Sequence, residues 1–426
     1  MKKKIKHLRW WIVWTLFCST SINYISRQTL SVLAPLIIRQ FHMSHEDYAG
    51  IVAAFQVAYA IMWLVGGVLI DIIGTKLGLT LAMIWWSISS MLTAFAGSVF
   101  SFSVFRFMLG IGEGCNWPGA SKAVAEWFPA SERGLAVGIF DSGSSIGAII
   151  APPLVALIAL KVGWRFAFVA SGFLGFFWLI LWRWIYHPLP VHPRLSAEER
   201  KLIETRREAP RAPTLSGAKR YLSLLKERNT WGIVLGRSFT DPIWWFYVFW
   251  IPQYLSDARH FDLKQIAAFA WIPFLASDIG NFTGGFVSVF LIRHGIPVIR
   301  ARKWVCVVSA LPILAGIPAA LTHSPYWALG YISLATWGYA SWSTMGLTFP
   351  SDLFPQEVVA SVTGLSGLGA GGVSTVFTLI VGILIDRFSY LPAFYAAATM
   401  PLLATAFILI LIRAPRSESL ANYAEG

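Results

Sequence analysis

The sequence predicts an all-α integral membrane protein of twelve transmembrane helices, arranged as two pseudo-symmetric six-helix bundles. Three observations carry that prediction: too little charge to wet a soluble surface, twelve apolar stretches of spanning length, and a polar interruption midway along the 426 residues. Charged residues make up 13% of the chain and hydrophobic ones 56%, against about 25% charged in soluble globular proteins. That balance excludes disorder, a disulfide scaffold and a water-soluble enzyme together. Cys18, Cys115 and Cys306 each sit inside an apolar run, so no structural disulfide is expected.

A helix needs about 20 apolar residues to cross the hydrocarbon. Runs of that kind, bounded by charge, Pro or Gly, lie at 9–37, 47–71, 76–97, 99–122, 134–159 and 164–186, then at 228–256, 264–292, 300–321, 325–350, 356–386 and 390–413. The first has a basic flank and small residues at Ser19-Thr20-Ser21, the outline of a cleaved signal. The apolar stretch resumes beyond Ile22, however, and its removal leaves an odd eleven helices, so it reads as the first span. Residues 187–229 change character, with ten Lys or Arg against five Glu. The resulting division is 1–186 as one bundle, 187–227 as a linker, and 228–426 as a second bundle with a short tail. Within the linker, Ser196-Ala197-Glu198-Glu199 has the form of a capping box and predicts a short amphipathic helix from Ala197 to about Arg207, its charges solvated.

The formal charge of +13 suggests nucleic acid in a soluble protein. Here the cations flank spans instead. They concentrate in the N-terminus (Lys2-Lys3-Lys4-Ile5-Lys6), the linker, the 293–303 loop (Arg293, Arg300, Arg302, Lys303) and the tail (Arg413, Arg416). By the positive-inside rule those segments are cytoplasmic, which places both termini inside and agrees with an even helix count. No nucleic-acid partner is expected.

One sequence offset recurs across the two halves. Phe128-Pro129, Gly138 and Gly143 reappear 226 positions later as Phe354-Pro355, Gly364 and Gly369, and Ala167-Phe168 and Ala170 as Ala393-Phe394 and Ala396. Two homologous bundles joined by a polar linker can rock about a central site and expose it to each side in turn. Nothing like a carbonyl filter or a ring of acids suggests a channel.

Ionisable residues inside spans each cost about 2.5–3.5 kcal/mol or more at the bilayer centre unless they are paired or face a cavity. They are Arg27, Arg106, Glu113, Asp141, Arg237, Asp241 and Asp278. Arg106 and Glu113 are two turns apart on one helix face. A desolvated Glu under the influence of Arg106 suits proton carriage; alternatively Glu113 is permanently paired with a cation on another helix. Arg27 offers a planar donor fork for a carboxylate and cannot itself carry a proton; alternatively it pairs internally with Glu113 or Asp241. Arg237 and Asp241, at i and i+4, read as a structural pair. Tyr24 and Tyr59 offer flat faces and hydroxyls for a sugar, whereas most of the 21 Trp, Trp244 and Trp245 included, read as lipid-facing or interfacial packing.

The stretch Gly67-Val68-Leu69-Ile70-Asp71-Ile72-Ile73-Gly74-Thr75-Lys76 resembles the signature loop of the major facilitator superfamily, with Ile72 where a basic residue is usual. Gly112-Glu113-Gly114-Cys115-Asn116-Trp117-Pro118-Gly119-Ala120, Glu126-Trp127-Phe128-Pro129 and Gly138-Ile139-Phe140-Asp141-Ser142-Gly143 resemble the anion:cation symporter family within it, the hexuronate transporter branch above all. Trp271-Ile272-Pro273-Phe274 and Ser351-Asp352-Leu353-Phe354-Pro355 extend the similarity across nearly the whole chain.

The resemblance implies proton-coupled uptake of a sugar acid such as glucuronate or galacturonate across a bacterial inner membrane. It assigns Arg27 to the substrate carboxylate, Glu113 and Arg106 to proton coupling, and Tyr24, Tyr59, Ser144 and Thr348 to the sugar. Asp71, Gly74 and Lys76 become gating residues. Ser26 stands where many members have a titratable Asp, so coupling falls on Glu113 alone. The expected partners are a small organic anion, protons and membrane lipid, the chain acting as a monomer without a metal or organic cofactor. Transport of another organic anion, such as an aldonate or aromatic carboxylate, by symport or exchange, or a sugar-acid receptor on the same fold, is the alternative.

Overall fold

A computed structural model describes residues 4–128, 130–205, 223–354 and 356–414. Among these residues there are sixteen α-helices and no strand. The first eight are α1 (Leu8–Phe41), α2 (His45–Ile73), α3 (Thr75–Thr93), α4 (Val99–Glu113), α5 (Asn116–Trp127), α6 (Ala130–Val162), α7 (Trp164–Ile185) and α8 (Ala197–Thr205). The others are α9 (Arg228–Asp257), α10 (Leu263–Phe269), α11 (Ile272–Arg293), α12 (Val298–Ile313), α13 (Gly316–Leu321), α14 (Pro325–Leu353), α15 (Gln356–Arg387) and α16 (Tyr390–Leu411). Each expected span coincides with helix, but three are broken: the fourth at Gly114–Cys115, the eighth at 270–271 and the ninth at Leu314–Ala315.

Six helical stretches among the described residues are long and apolar enough to cross a membrane by length and composition alone. Others are more polar because their polar groups turn inward. In α1, Ser19, Thr20, Asn23, Ser26, Arg27 and Gln28 are all buried. Thr15, Thr20, Ser21 and Thr29 return their hydroxyls to carbonyls one turn back, so their burial leaves no donor unmet.

The chain divides into two compact units, Met1–Met43 with Gly50–Pro210 and Phe261–Trp271, and Ser44–Ala49 with Arg211–His260 and Ile272–Gly426. The sequence repeat has a packing counterpart in each. A Cβ on Gly143 of α6 would stand 2.4 Å from the Phe17 carbonyl of α1, and one on Gly369 of α15 would stand 2.9 Å from Ser238 and Val234 of α9. At Gly143 only glycine lets the two backbones approach so closely, the small-residue logic of helix packing in lipid, whereas at Gly369 the atoms met are side chains of α9.

Several tryptophans depart from the lipid-facing expectation. Trp178, Trp182 and Tyr186 stack in a column with centroids 5.0 and 4.2 Å apart, and Trp178 Nε1 donates to the Thr15 carbonyl at 2.6 Å. Trp86, Trp127, Trp250 and Trp342 are also fully buried. Trp244 is half-buried and stacks on Tyr339, while Trp11, Trp14 and Trp184 do face outward. Trp178 and Trp182 reach the Thr15 and Lys76 carbonyls and Trp342 the Thr405 hydroxyl, partners that periodicity alone does not reveal, whereas Nε1 of Trp86, Trp127 and Trp250 has none among the described residues.

The linker helix also departs from expectation. Ser196 Oγ accepts from the Glu199 backbone N–H at 3.1 Å, half of the capping box. The Glu199 carboxylate, however, turns to α1. It accepts from the Leu8 and Arg9 N–H groups at 3.0 and 3.2 Å and bridges Arg9 Nη1 at 2.9 Å, almost fully buried. A carboxylate on the positive end of α1 is favourable, so Glu199 is a cap rather than a solvated charge.

In the second unit, His45 stands ahead of the second span. Its Nδ1 is 2.8 Å from Asp386 and its Nε2 3.0 Å from Asp257, which also accepts from the Tyr390 hydroxyl at 2.9 Å. Asp386 further accepts from the His45 and Glu46 N–H groups. Burial disfavours the charged ring, but the hydrogen bonds to Asp257 and Asp386 outweigh it and raise the His45 pKa above the ordinary 6.5. The stabilisation from charged His45 is therefore complete below 6.5 and is lost as pH rises through the higher folded-state value. The melting temperature of His45→Gln should fall below wild type in acid and converge with it in alkali; a gap that stays constant or widens with pH removes the charged imidazole from the account.

Candidate functional site

The functional residues of the first unit assemble because α4 lies unusually close to α2. A Cβ on Gly110 would stand 2.5 Å from the Phe55 carbonyl, and one on Gly114 would stand 2.9 Å from the Tyr59 carbonyl and 2.7 Å from Met62. With glycine at both positions, the two backbones meet where α2 carries Phe55 and Tyr59. Glu113, the last residue of α4, is thereby brought to Arg27 of α1.

Arg27 and Glu113 form an ion pair with side-chain exposures of 1% and 0%. Nε and Nη2 of Arg27 donate to the same oxygen, Glu113 Oε2, at 3.2 and 3.1 Å. Nη2 also donates to Asn23 Oδ1, one turn back on α1, at 2.9 Å. The guanidinium carbon lies 4.7 Å from the Tyr24 ring, 4.6 Å from Tyr59 and 5.2 Å from Phe55. Three aromatic faces thus supply the electrostatic attraction that water would otherwise give a cation.

Of the alternatives the sequence left open, Arg27 and Glu113 are therefore paired with each other. Asp241 pairs with Arg237 within the second unit, at 2.6 Å, and Arg237 also donates to Ser366 at 2.9 Å. Glu113 Oε1 has no hydrogen-bond partner among the described residues, nor have the Asn23 amide nitrogen, the Ser26 hydroxyl or either amide atom of Gln56, beside Phe55 on α2. Arg106, fully buried, donates from Nη2 to the Arg27 carbonyl at 3.2 Å and lies 4.9 Å from the Phe55 ring. It braces the backbone that carries Arg27.

Chemically, the site is a cation, a carboxyl group with one uncommitted oxygen and two tyrosines. Such a set can exchange an internal carboxylate for an external one. Its burial makes the balance exacting, because leaving either charge unpartnered costs about 3–5 kcal/mol.

The other expected residues lie further out. Ser144 of α6 donates to the Asp141 carbonyl at 2.7 Å, Asp141 Oδ1 accepts from Trp117 Nε1 at 3.0 Å, and the Trp117 ring stands 6.1 Å from Tyr24. Ser144 thus connects to the cluster's edge without a direct bond to Arg27 among the described residues. Thr348, in the second unit, returns its hydroxyl to the Met345 carbonyl at 2.9 Å. Gly74, at φ +85°, turns the chain from α2 into α3, and Lys76 forms no ion pair among the described residues. The side chain of Asp71 lies outside the described residues. The Ile70 carbonyl at the end of α2 is instead met by Lys122 of α5, at 2.9 Å, and Glu126 accepts from both Thr75 and Tyr186.

Sequence reasoning named neither Phe55, Asn23, Gln56, Trp117 nor Lys122 as a site residue. Two signals were available: Asn23 precedes Arg27 by one turn, and Phe55 precedes Tyr59 by one turn. Double substitution tests the pairing. Arg27→Met and Glu113→Met should each lower the melting temperature, and the combined variant should melt above either single one, with a coupling of about 2 kcal/mol. Additive losses would mean that the two charges do not stabilise each other.

Comparison with known proteins adds four findings. Residues 16–377 match the family model described as Major Facilitator Superfamily. The chain is 36% identical to the hexuronate transporter of Escherichia coli K12, over 94% of this chain and 93% of that protein. It is also 36% identical to the galacturonate transporter of Dickeya chrysanthemi, over 76% of this chain and 95% of that one. Among solved structures, a bacterial homologue of the human lysosomal transporter Spinster, inward-facing and unoccupied, superposes with a TM-score of 0.72 at 18% identity, covering 98% of this chain and 97% of that chain.

Proposed function

The chain belongs to the major facilitator superfamily, a family of transporters and not enzymes, and from that premise we propose that it imports a hexuronate, glucuronate or galacturonate, by proton symport through alternating access. The observation that carries the reading is the buried Arg27–Glu113 pair, whose two members need each other only while no other anion or proton is present. Similarity to relatives named as hexuronate and galacturonate transporters supports the substrate class.

The proposed cycle uses one exchange. A proton taken up by Glu113 removes its charge and releases the Nε and Nη2 donors of Arg27. The substrate carboxylate takes the same donors, and the aromatic faces of Tyr24 and Tyr59 receive the sugar. The site is then again neutral overall, so the loaded transporter reorients without carrying net charge through lipid. With Ser26 offering no second titratable group, one proton accompanies one monoanion, and the net movement is electrically silent. Thr348 joins from the second unit, while Asp71, Gly74 and Lys76 act in gating. The proposed location is a bacterial inner membrane, both termini cytoplasmic, with the transporter acting as a monomer.

Proteoliposomes test this directly. An imposed pH gradient should drive glucuronate or galacturonate accumulation, whereas a membrane potential alone should not. Glu113→Gln should abolish accumulation while sparing substrate counterflow, and Arg27→Ala should weaken binding by about 1.5–3 kcal/mol, roughly tenfold or more in affinity. Full accumulation by Glu113→Gln, or unchanged affinity in Arg27→Ala, removes the corresponding role.

A further inference from the structure

The four cations at the end of α11 and the start of α12 divide into two kinds. Arg302 is turned inward: its Nε donates to Asp352 at 3.1 Å and its Nη1 to Ser288 at 2.7 Å. Lys303 donates to the Leu409 and Ile412 carbonyls, at 3.1 and 2.7 Å, closing the end of α16. Arg293 and Arg300 are exposed, and among the described residues neither has an ion pair or side-chain hydrogen bond.

Beside them lies a groove of about 500 Å³, lined by residues of α11, α12 and α14 and by Ile296. Val287 and Leu291 are one turn apart on α11, and Trp304 and Val308 one turn apart on α12. Arg300 precedes Trp304 by one turn, so it shares the face of α12 that forms the groove wall. Ile296, at the groove's end, is three residues from Arg293 and four from Arg300. The groove's hydroxyls offer a polar ligand little, because Thr283 and Ser341 both donate to the Gly280 carbonyl, at 3.0 and 2.8 Å. Val287, Trp304 and Val308 are 43%, 54% and 57% exposed, so the groove opens outward from the second unit.

An apolar groove whose wall helix α12 carries exposed Arg300 one turn before Trp304, with exposed Arg293 closing α11, fits a ligand that is apolar along its length and anionic at its tip. We infer that the groove binds an anionic phospholipid, one acyl chain between α11 and α12 and the phosphate between Arg293 and Arg300. The inference rests on the membrane-protein reading and not on the substrate, so failure of uronate transport leaves it standing. Charge complementarity favours an anionic head, since a basic side chain near such lipid contributes attraction that a zwitterionic head does not return.

Native mass spectrometry of the full-length protein in detergent, titrated with dioleoylphosphatidylglycerol or dioleoylphosphatidylcholine, tests the assignment. Wild type should retain phosphatidylglycerol with a preference on the order of tenfold to thirtyfold that Arg293→Ala/Arg300→Ala erases and Arg293→Lys/Arg300→Lys largely keeps. Val308→Trp, which fills the groove without touching either cation, should lose the bound lipid. Preference unchanged in the double alanine variant or in Val308→Trp overturns the site. Glycerol 3-phosphate, which has no acyl chain, should fail to displace the lipid; full displacement by it makes the occupant a soluble phosphate ester and overturns the lipid assignment.

Discussion

A charge held in the interior of a membrane protein must be answered by another charge, and the first unit is organised around that demand. Arg27 and Glu113 are the most deeply enclosed ion pair described, and their neighbours answer to it. The glycines at 110 and 114 set how near α4 comes to α2, the rings of Tyr24, Phe55 and Tyr59 replace the lost hydration of the guanidinium, and Arg106 steadies the carbonyl of Arg27 itself. A site built this way is sensitive to whichever anion or proton enters it. Sensitivity of that kind is what coupling between two solutes requires.

The second unit uses the same chemistry more locally. Arg237 and Asp241 satisfy each other one turn apart on a single helix, and Ser366 takes a remaining donor. Pairing within one helix fixes a side chain without linking separate elements. Longer-reaching pairs, Arg302 with Asp352 and His45 with Asp386, join separate elements of the same unit.

Much of the architecture was legible in the sequence, because lipid imposes a length requirement that apolar runs display openly. The helix breaks within the fourth and ninth spans were not, since at Cys115 and at Leu314–Ala315 the backbone bonds tighten from four residues back to three without interrupting hydropathy. Arg27 and Glu113 stood out as unaffordable charges, yet their mutual contact spans 86 residues and no local spacing encodes it. The roles of Phe55 and Asn23 were hidden for a related reason: an aromatic or an amide in an apolar helix looks like ordinary packing until the cation beside it is located. Glu199 misled more actively, because its place in a capping motif offered a satisfying local partner while the stronger one lay on another helix.

That last contact bears on how the molecule is made. The N–H groups opening α1 are met by a carboxylate that leaves the ribosome 190 residues after them. α1 thus remains unsealed at its start while α2 to α7 emerge, and the piece that seals it follows them in α8. Completion of the first half is in this sense marked chemically at its own beginning, before translation of the second half has gone far.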